Sequence, residues 1–446
     1  MRFHPPRESY LWLKALWNHR RNGRFTRSQL EAAQFRKFRK LAAWAQARSP
    51  YYRRLMKERQ IDPATCLPTD FPLLTKQEVN EHFDEIVTDR QISRQRIANF
   101  LARSADPAEL MDGKYHVLHT SGTSGTIGYF VYSKADWIRG ASQVARASKL
   151  RWKKRVAFVA ATQGHFAGVS LMLTGNQGSN SFFHDVRTFD VGQPLGKIVE
   201  ELNRFQPEVL SGYAAILKML AEAQERGELR IKPTELGNGG EPLLPDVKVY
   251  LERVFGVPVL NGYASSEHLY MAMSLRGVEG MHLLEDDLIF ELGDDYTAVT
   301  NLFNETMPLI RYRMDDVLVP DREAAPSRYP YTRVREVVGR QENALVFTNV
   351  HGQEDFIHPI VVAELVVPGL NAWQVVLEDK TSFRFRARLE NGLGVEERTS
   401  THEAVHRTLR GLLEGKEMSN VRFRVEEVDD LAVDPHSGKF RLVVKG

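Results

Sequence analysis

His119-Thr-Ser-Gly-Thr-Ser-Gly-Thr126 packs hydroxyl side chains and two glycines into one short loop: Ser121, Gly122, Thr123, Ser124, Gly125 and Thr126. Glycine tolerates positive φ and lets the backbone approach a ligand closely. Such a loop can therefore wrap N–H groups and hydroxyls around phosphate oxygens. It lacks the lysine of the GxxxxGK[ST] arrangement, so it is not that phosphate loop. Taken alone, the same composition also fits a solvated turn. What flanks it has to decide.

Upstream, residues 28–60 and 75–105 read as mainly helical, broken by turns at Asp62-Pro63 and between Pro68 and Pro72. Downstream, short apolar runs alternate with helical ones. Val156 to Ala161 reads as a buried strand and Leu195 to Arg204 as a helix. Glu208 to Tyr213 is a strand entering a loop, with helices expected over Ala214–Arg226 and Pro245–Phe255 and a strand over Val257–Leu260. This β-loop-α rhythm implies an α/β fold with a largely parallel sheet covered by helices, which holds ligands at the C-terminal ends of its strands. After residue 285 short alternating strands suggest an antiparallel or barrel-like section, at Asp287–Leu292, Tyr296–Leu302 and Arg335–Val338. The last hundred or so residues have the content of a small α+β domain: strands at Asn371–Leu377, Ser382–Leu389, Val421–Val428 and Phe440–Val444, and a helix near Thr401–Leu413.

The chain has 446 residues, 42% of them hydrophobic, enough for two or three domains with substantial cores. Its single cysteine, Cys66, excludes an internal disulfide and a cysteine-rich zinc site. The N-terminus lacks a secretory pattern and no run of about 18 apolar residues occurs, so a cytoplasmic protein is expected. The net charge of +3 conceals an asymmetry: residues 1–60 carry 16 Lys/Arg against 3 Asp/Glu. With Trp12, Trp17, Phe25, Phe35 and Phe38 interleaved, this leader could lie on an anionic membrane or a nucleic acid. The helical spacing of Phe35, Phe38, Leu41, Ala42 and Ala45 instead favours a helix packed on the body, and no nucleic-acid-binding motif is present.

Further polar, glycine-bearing segments fall where strands should end. They are Asn238-Gly-Gly-Glu241, Asn261-Gly-Tyr-Ala-Ser-Ser-Glu267, Pro308-Leu-Ile-Arg-Tyr-Arg-Met-Asp-Asp316, Val338-Gly-Arg340 and Pro435-His-Ser-Gly-Lys439. Each has a plain alternative: the Asn-Gly pairs as turns, Arg311, Arg313, Asp315 and Asp316 as a surface salt-bridge cluster, Lys439 as an exposed lysine. Their order and spacing, with Ser49-Pro-Tyr-Tyr52 and Phe71-Pro-Leu-Leu-Thr-Lys76 ahead of the loop, resemble the adenylate-forming (acyl-adenylating) superfamily, and within it the phenylacetate–coenzyme A ligase family. The likeness covers nearly the whole chain.

The resemblance implies a large N-terminal adenylation domain over 1–338, with a helical lead-in to about 110, and a small mobile C-terminal α+β lid over 339–446. It implies ATP, Mg²⁺ and, as acceptor, coenzyme A. Ser121 to Thr126 would hold the β- and γ-phosphates, while Gly239, Gly240 and Glu241 would border the adenine and Tyr263 would stack on it. Ser266 would contact the α-phosphate, Glu267 would position Mg²⁺, and Asp316 with Arg340 would take the ribose. Lys439 would neutralise charge building between carboxylate and phosphorus, and Glu342 would be the hinge. By position, His165, Phe166, Ala167, Gly168, Ser211, Gly212, Tyr213, Ala264 and Ser265 would line the acyl pocket, suited to an aromatic or medium-sized carboxylic acid.

This chain departs from the family pattern in three places. No lysine follows the second loop glycine, where Thr126-Ile-Gly-Tyr129 stands. Asp315 replaces the glycine usual before the ribose-binding aspartate, and Glu342 stands where aspartate or lysine is more usual. The implied activity is that of a carboxylate–CoA ligase. The alternative is an adenylating enzyme whose acceptor is an amine, a carrier-protein thiol or another group, and homodimers occur among such enzymes. A catalytically silent nucleotide-binding protein is disfavoured by the joint presence of Glu267, Asp316, Arg340 and Lys439.

Overall fold

The computed structural model describes residues 6–120, 127–146, 154–162, 164–175, 184–275, 277–294, 296–314, 316–323, 327–338, 345–363, 365, 367–432 and 442–445. The phosphate-loop residues Ser121 to Thr126, and Asp315, Arg340, Glu342 and Lys439, lie outside the described residues.

The strands before the small C-terminal region are β1 (Tyr115–His119), β2 (Tyr129–Ser133), β3 (Lys154–Ala160), β4 (His184–Asp190), β5 (Val209–Gly212), β6 (Glu235–Gly239) and β7 (Val259–Ser265). They continue with β8 (Leu269–Ser274), β9 (Met281–Leu283), β10 (Leu288–Leu292), β11 (Thr297–Asn301), β12 (Tyr312–Met314), β13 (Val317–Pro320) and β14 (Arg333–Val338). Nine of the described strands make one sheet, in the order β13-β14-β9-β8-β7-β6-β5-β3-β4.

Strands β4, β3, β5, β6 and β7 run parallel, joined by helices. The helix Leu195–Phe205 shows why it forms and where it packs: Leu195, Ile198, Val199, Leu202 and Phe205 are buried at helical spacing. The helix Pro245–Phe255 starts on a proline and stops at Gly256, whose φ of +70° few other residues would accept.

The parallel half agrees with the expected α/β sheet, and β8, β9, β14 and β13 extend it antiparallel. Ser266–His268 is too short to cross over the sheet, and a parallel neighbour requires such a crossover, so the chain folds straight back as β8. Asn261–Ser265, read as a loop, are the last residues of β7: Asn261 and Gly262 pair with β6, and Gly262 to Ser265 with β8. The three-stranded antiparallel sheet β10-β11-β12 accounts for the section read as antiparallel or barrel-like.

The remaining described strands are β15 (Leu345–Thr348), β16 (Glu354–Ile357), β17 (Leu370–Asp379), β18 (Ser382–Leu389), β19 (Arg422–Glu427) and β20 (Val443–Lys445). The last four form a sheet in the order β19-β18-β17-β20. Strand β18 alternates strictly: Phe383, Phe385, Ala387 and Leu389 are buried against the helix Val395–Gly415, and Arg384, Arg386 and Arg388 take the other face. The hairpin β15–β16 belongs to two cores. Leu345, Phe347 and Ile357 pack in the C-terminal core, while Phe356 belongs to the core formed by the large sheet and its helices, with Phe189, Val191 and Leu195.

The lead-in is helical and docked. In the helix Arg27–Arg48, Phe38, Leu41, Ala42 and Ala45 are buried, as their spacing predicts. The helix Pro6–Asn22 is pinned through His19, whose Nε2 lies 2.8 Å from Ser142 Oγ and Nδ1 2.9 Å from an Arg146 nitrogen. No helix among the described residues is long and apolar enough to cross a membrane.

Candidate functional site

The C-terminal ends of β3, β5, β6 and β7 surround a cavity of about 750 Å³. Two Asn-Gly pairs make part of its floor. They are not turns: Asn238 and Gly239 lie opposite Asn261 and Gly262 in the parallel register of β6 and β7. Asn238 Nδ2 donates to Asn261 Oδ1 at 2.7 Å and to the Glu241 carbonyl at 2.9 Å, locking the two strand ends together. A Cβ on Gly239 or Gly262 would meet protein only at 3.6 Å, an ordinary contact. The protein's own packing therefore does not demand glycine there, and the bare backbone faces open space.

Gly240 is different. Its φ is +85°, and a Cβ would stand 2.8 Å from the Tyr213 ring. Tyr213 also stacks on His358, with ring centroids 4.1 Å apart. His358 Nε2 lies 2.8 Å from Glu241 Oε1, and Glu241 Oε2 accepts the Ala215 N–H at 2.8 Å. Burial raises the Glu241 carboxyl, but His358 and the amide outweigh it, and the net effect holds it below its ordinary 4.5. The sign follows from linkage. A depressed carboxyl contributes stability that is full above its unfolded value and is lost as pH falls through the folded one. Glu241→Gln should thus cost roughly 1–3 kcal/mol near neutral pH, and the gap to wild type should shrink in melting curves taken progressively below pH 4.5. A gap independent of pH would show that the carboxylate's charge does not matter.

The loop read as phosphate-binding leaves and re-enters the fold at one neck. His119 pairs with Tyr129 across the β1–β2 hairpin. Thr120 N donates to the Gly128 carbonyl at 3.0 Å, and Gly128 N donates back to Thr120 Oγ1 at 2.9 Å. Ser266 Oγ donates to the His119 carbonyl at 3.1 Å, and Tyr132 OH donates to the Ser266 carbonyl at 2.7 Å, so the turn carrying Glu267 is tied to the neck. Burial pushes the Glu267 carboxyl up. Its own amide, Lys76 and Ser265 pull it down, and Asp316 adds to the rise.

The structure gathers most of the residues singled out in the sequence. Phe166, Tyr213, Gly239, Gly240, Glu241, Ala264, Ser265, Ser266 and Glu267 all line the cavity. Tyr263 and Asp316 do not, but they meet each other, the phenol donating to Asp316 Oδ2 at 2.7 Å. The placement of His165 needs correction. Its ring turns behind the wall, with Nε2 3.0 Å from Ser104 Oγ, and it does not line the cavity. Of the residues that a surface salt-bridge cluster would comprise, Arg311 pairs with Glu291 at 2.6 Å and donates to the Phe71 carbonyl.

Three residues near the site had been given no role. His119 lines the cavity, and burial lowers its pKa, so its ring is neutral at ordinary pH. His358 comes from beyond the hairpin β15–β16. Lys76 is carried in by the segment Phe71–Lys76. Leu74 forms a parallel bridge to Tyr312, and Thr75 caps the short helix Lys76–Glu81 in a box with Glu78. This brings Lys76 Cε to 3.4 Å from where a Gly128 Cβ would stand, beside the loop neck and within electrostatic reach of Glu267.

No protein-family model matches the chain. It is 25% identical over 375 residues to a phenylacetate–coenzyme A ligase of Thermus thermophilus, covering 76% of each chain. The chain is similar in sequence to that ligase over most of its length. Protein CapK of Staphylococcus aureus is 28% identical over 176 residues, 36% of this chain and 38% of that protein. Among solved structures, 2-hydroxyisobutyryl-CoA ligase in complex with its acyl-AMP and CoA superposes with a TM-score of 0.61 at 18% identity, covering 95% of this chain and 92% of that one. An open conformation of the same ligase gives 0.59 at 19% identity, covering 95% and 93%. The fold is therefore the adenylate-forming one, and the cavity at its strand ends lies where open α/β sheets bind ligands.

Proposed function

We propose that the protein is an ATP-dependent, AMP-forming carboxylic acid–coenzyme A ligase. The observation that carries this is the convergence, in a chain similar in sequence to phenylacetate–coenzyme A ligase, of the loop neck, the bare Gly239–Gly262 floor, Tyr213 and Glu267 on one cavity. A substrate carboxylate attacks the α-phosphorus of ATP in line. The P–O bond to pyrophosphate breaks, and acyl-AMP forms. The thiol of coenzyme A then loses its proton and attacks the acyl carbon, and AMP leaves. Two anions must be brought together, so positioning and cationic shielding supply the catalysis.

In this reading the loop Ser121–Thr126 holds the terminal phosphates, and Gly239, Gly240 and Glu241 border the adenine. Tyr263 packs beside that ring, Ser266 meets the α-phosphate, and Asp316 with Arg340 takes the ribose. Lys439 shields the reacting oxygens, and Glu342 is the hinge between units 1–338 and 339–446. Mg²⁺ fits the donors present. Glu267 offers one carboxylate beside the Ser265 hydroxyl, and no group of three or more metal-binding side chains occurs among the described residues. That suits an ion taking most of its ligands from phosphate and water. When bound, Mg²⁺ would neutralise charge on the phosphates.

Lys76 supplies at the neck the cation that Thr126-Ile-Gly-Tyr129 lacks. Lys76→Met should lower kcat/KM for ATP by about ten- to a hundredfold, with Lys76→Arg recovering part of it. An unchanged kcat/KM for ATP would remove Lys76 from the phosphate site. The acyl end of the cavity, with Phe158, Phe166, Leu171 and Met219, suits an apolar aromatic or medium-sized acid.

The test is acid-dependent release of pyrophosphate and AMP across aryl, aryl-acetic and aliphatic acids, with and without coenzyme A. Thioester formed only with coenzyme A is expected. Pyrophosphate release that coenzyme A never accelerates would move the reading to an amine or a carrier-protein thiol as acceptor. No ATP binding at all would overturn it.

A further inference from the structure

The helix Pro6–Asn22 has two faces of opposite use. Ala15, His19 and Asn22 are buried against the body, and Trp12 packs at the edge of the large core. On the opposite side Tyr10, Leu13 and Trp17 are 60%, 68% and 60% exposed. Among the described residues no other helix leaves three large apolar side chains so exposed. Their spacing of i, i+3 and i+7 puts them on one stripe about 10 Å long.

Cations continue that stripe. Lys14, Arg20, Arg21 and Arg24 are exposed on it or just beyond its C-terminal end. The one acid of the helix, Glu8, is engaged by Lys134. Arg21 stands over the Trp17 ring at 4.8 Å and Lys14 over Tyr10 at 5.9 Å.

We propose that this face docks the protein on an anionic lipid surface, with the helix lying in the plane of the membrane. Tyr10, Leu13 and Trp17 would enter the headgroup–acyl boundary, and the cations would meet lipid phosphates. Charge attracts any anionic partner, but a stripe on the outer face of one helix is a convex surface. A fluid surface needs no groove, and aromatic rings beside Lys and Arg are the composition of an interfacial helix. The net charge of +13 over residues 1–60 reinforces the choice. Three apolar side chains make the attachment reversible.

Flotation of the full-length protein with phosphatidylcholine vesicles, with and without phosphatidylglycerol and at low and high salt, tests this. Binding should require phosphatidylglycerol and weaken with salt. It should fall at least about tenfold in Leu13→Ser/Trp17→Ser and in Arg20→Glu/Arg24→Glu. Both pairs are exposed, so melting temperature should not move. The proposal is overturned if wild type does not float, if lipid charge makes no difference, or if the serine variant floats like wild type. It is equally overturned if wild type runs as a dimer, fails to float, and becomes monomeric in the serine variant, since that face would then cover a second copy.

Discussion

Glu267→Gln is expected to cut acid-dependent pyrophosphate release by about a hundredfold or more without loosening the fold. The side chain sits in the three-residue turn between β7 and β8, at the C-terminal end of a parallel strand. Its neighbours fix that turn: Tyr132 holds the Ser266 carbonyl, and Ser265 Oγ accepts the His268 N–H at 3.2 Å. Glutamine keeps the size and one acceptor oxygen and removes the charge. Burial already disfavours the charged form of Glu267, so the neutral replacement should leave the melting temperature level or raise it slightly. Lost activity with unchanged stability, together with a higher Mg²⁺ requirement, would isolate the charge as what catalysis needs. Wild-type activity in the variant would end Glu267's assignment.

Lys416→Met should cost about 3–5 kcal/mol in urea unfolding. Lys416 follows the helix Val395–Gly415 and is 1% exposed. Its ammonium donates to the Gln193 carbonyl at 2.7 Å, to the Val191 carbonyl at 3.2 Å and to Asp355 Oδ1 at 3.1 Å. Asp355 Oδ2 in turn accepts the Leu195 N–H at the start of a helix under the large sheet. Burial pulls the lysine below its ordinary pKa and Asp355 opposes this. Methionine would fill the volume but leave a buried carboxylate and two carbonyls short of a donor. Asp355→Asn on the same background should recover part of the loss, because the uncompensated charge goes with it. A cost below about 1 kcal/mol would mean that the ammonium is hydrated rather than buried.

The parallel half of the large sheet was legible in part: Val156–Ala161 is an apolar run, whereas the polar strand β4 gives no such signal. The antiparallel half was not legible. Asn261–Ser265 has the composition of a turn yet is a strand, since backbone pairing first with β6 and then with β8 stabilises it whatever its side chains are. Leu269–Ser274 and Met281–Leu283 are short and lack a distinguishing period. In the site, the polar segments at predicted strand ends place Gly239 to Glu241 and Ala264 to Glu267 on the cavity wall. His165 misled because it neighbours Phe166, and which of two adjacent loop residues faces a cavity depends on backbone turns such as Gly164, with φ +86°. Lys76 and His358 were invisible for another reason. Their significance depends on Gly128 and Glu241, residues far away in the chain, and no local pattern records such distances.

His358 has one more consequence. Part of the cavity wall, through its stacking on Tyr213 and its bond to Glu241, comes from the region that follows residue 344, and Phe356 and Lys416 seat that region on the helix beginning at Leu195. The C-terminal segment is therefore not an interchangeable cassette. A chimaera carrying the corresponding segment of a relative would inherit a mismatched seam unless Glu241, Tyr213 and the 191–195 turn were exchanged with it, so these positions should drift as a set across lineages.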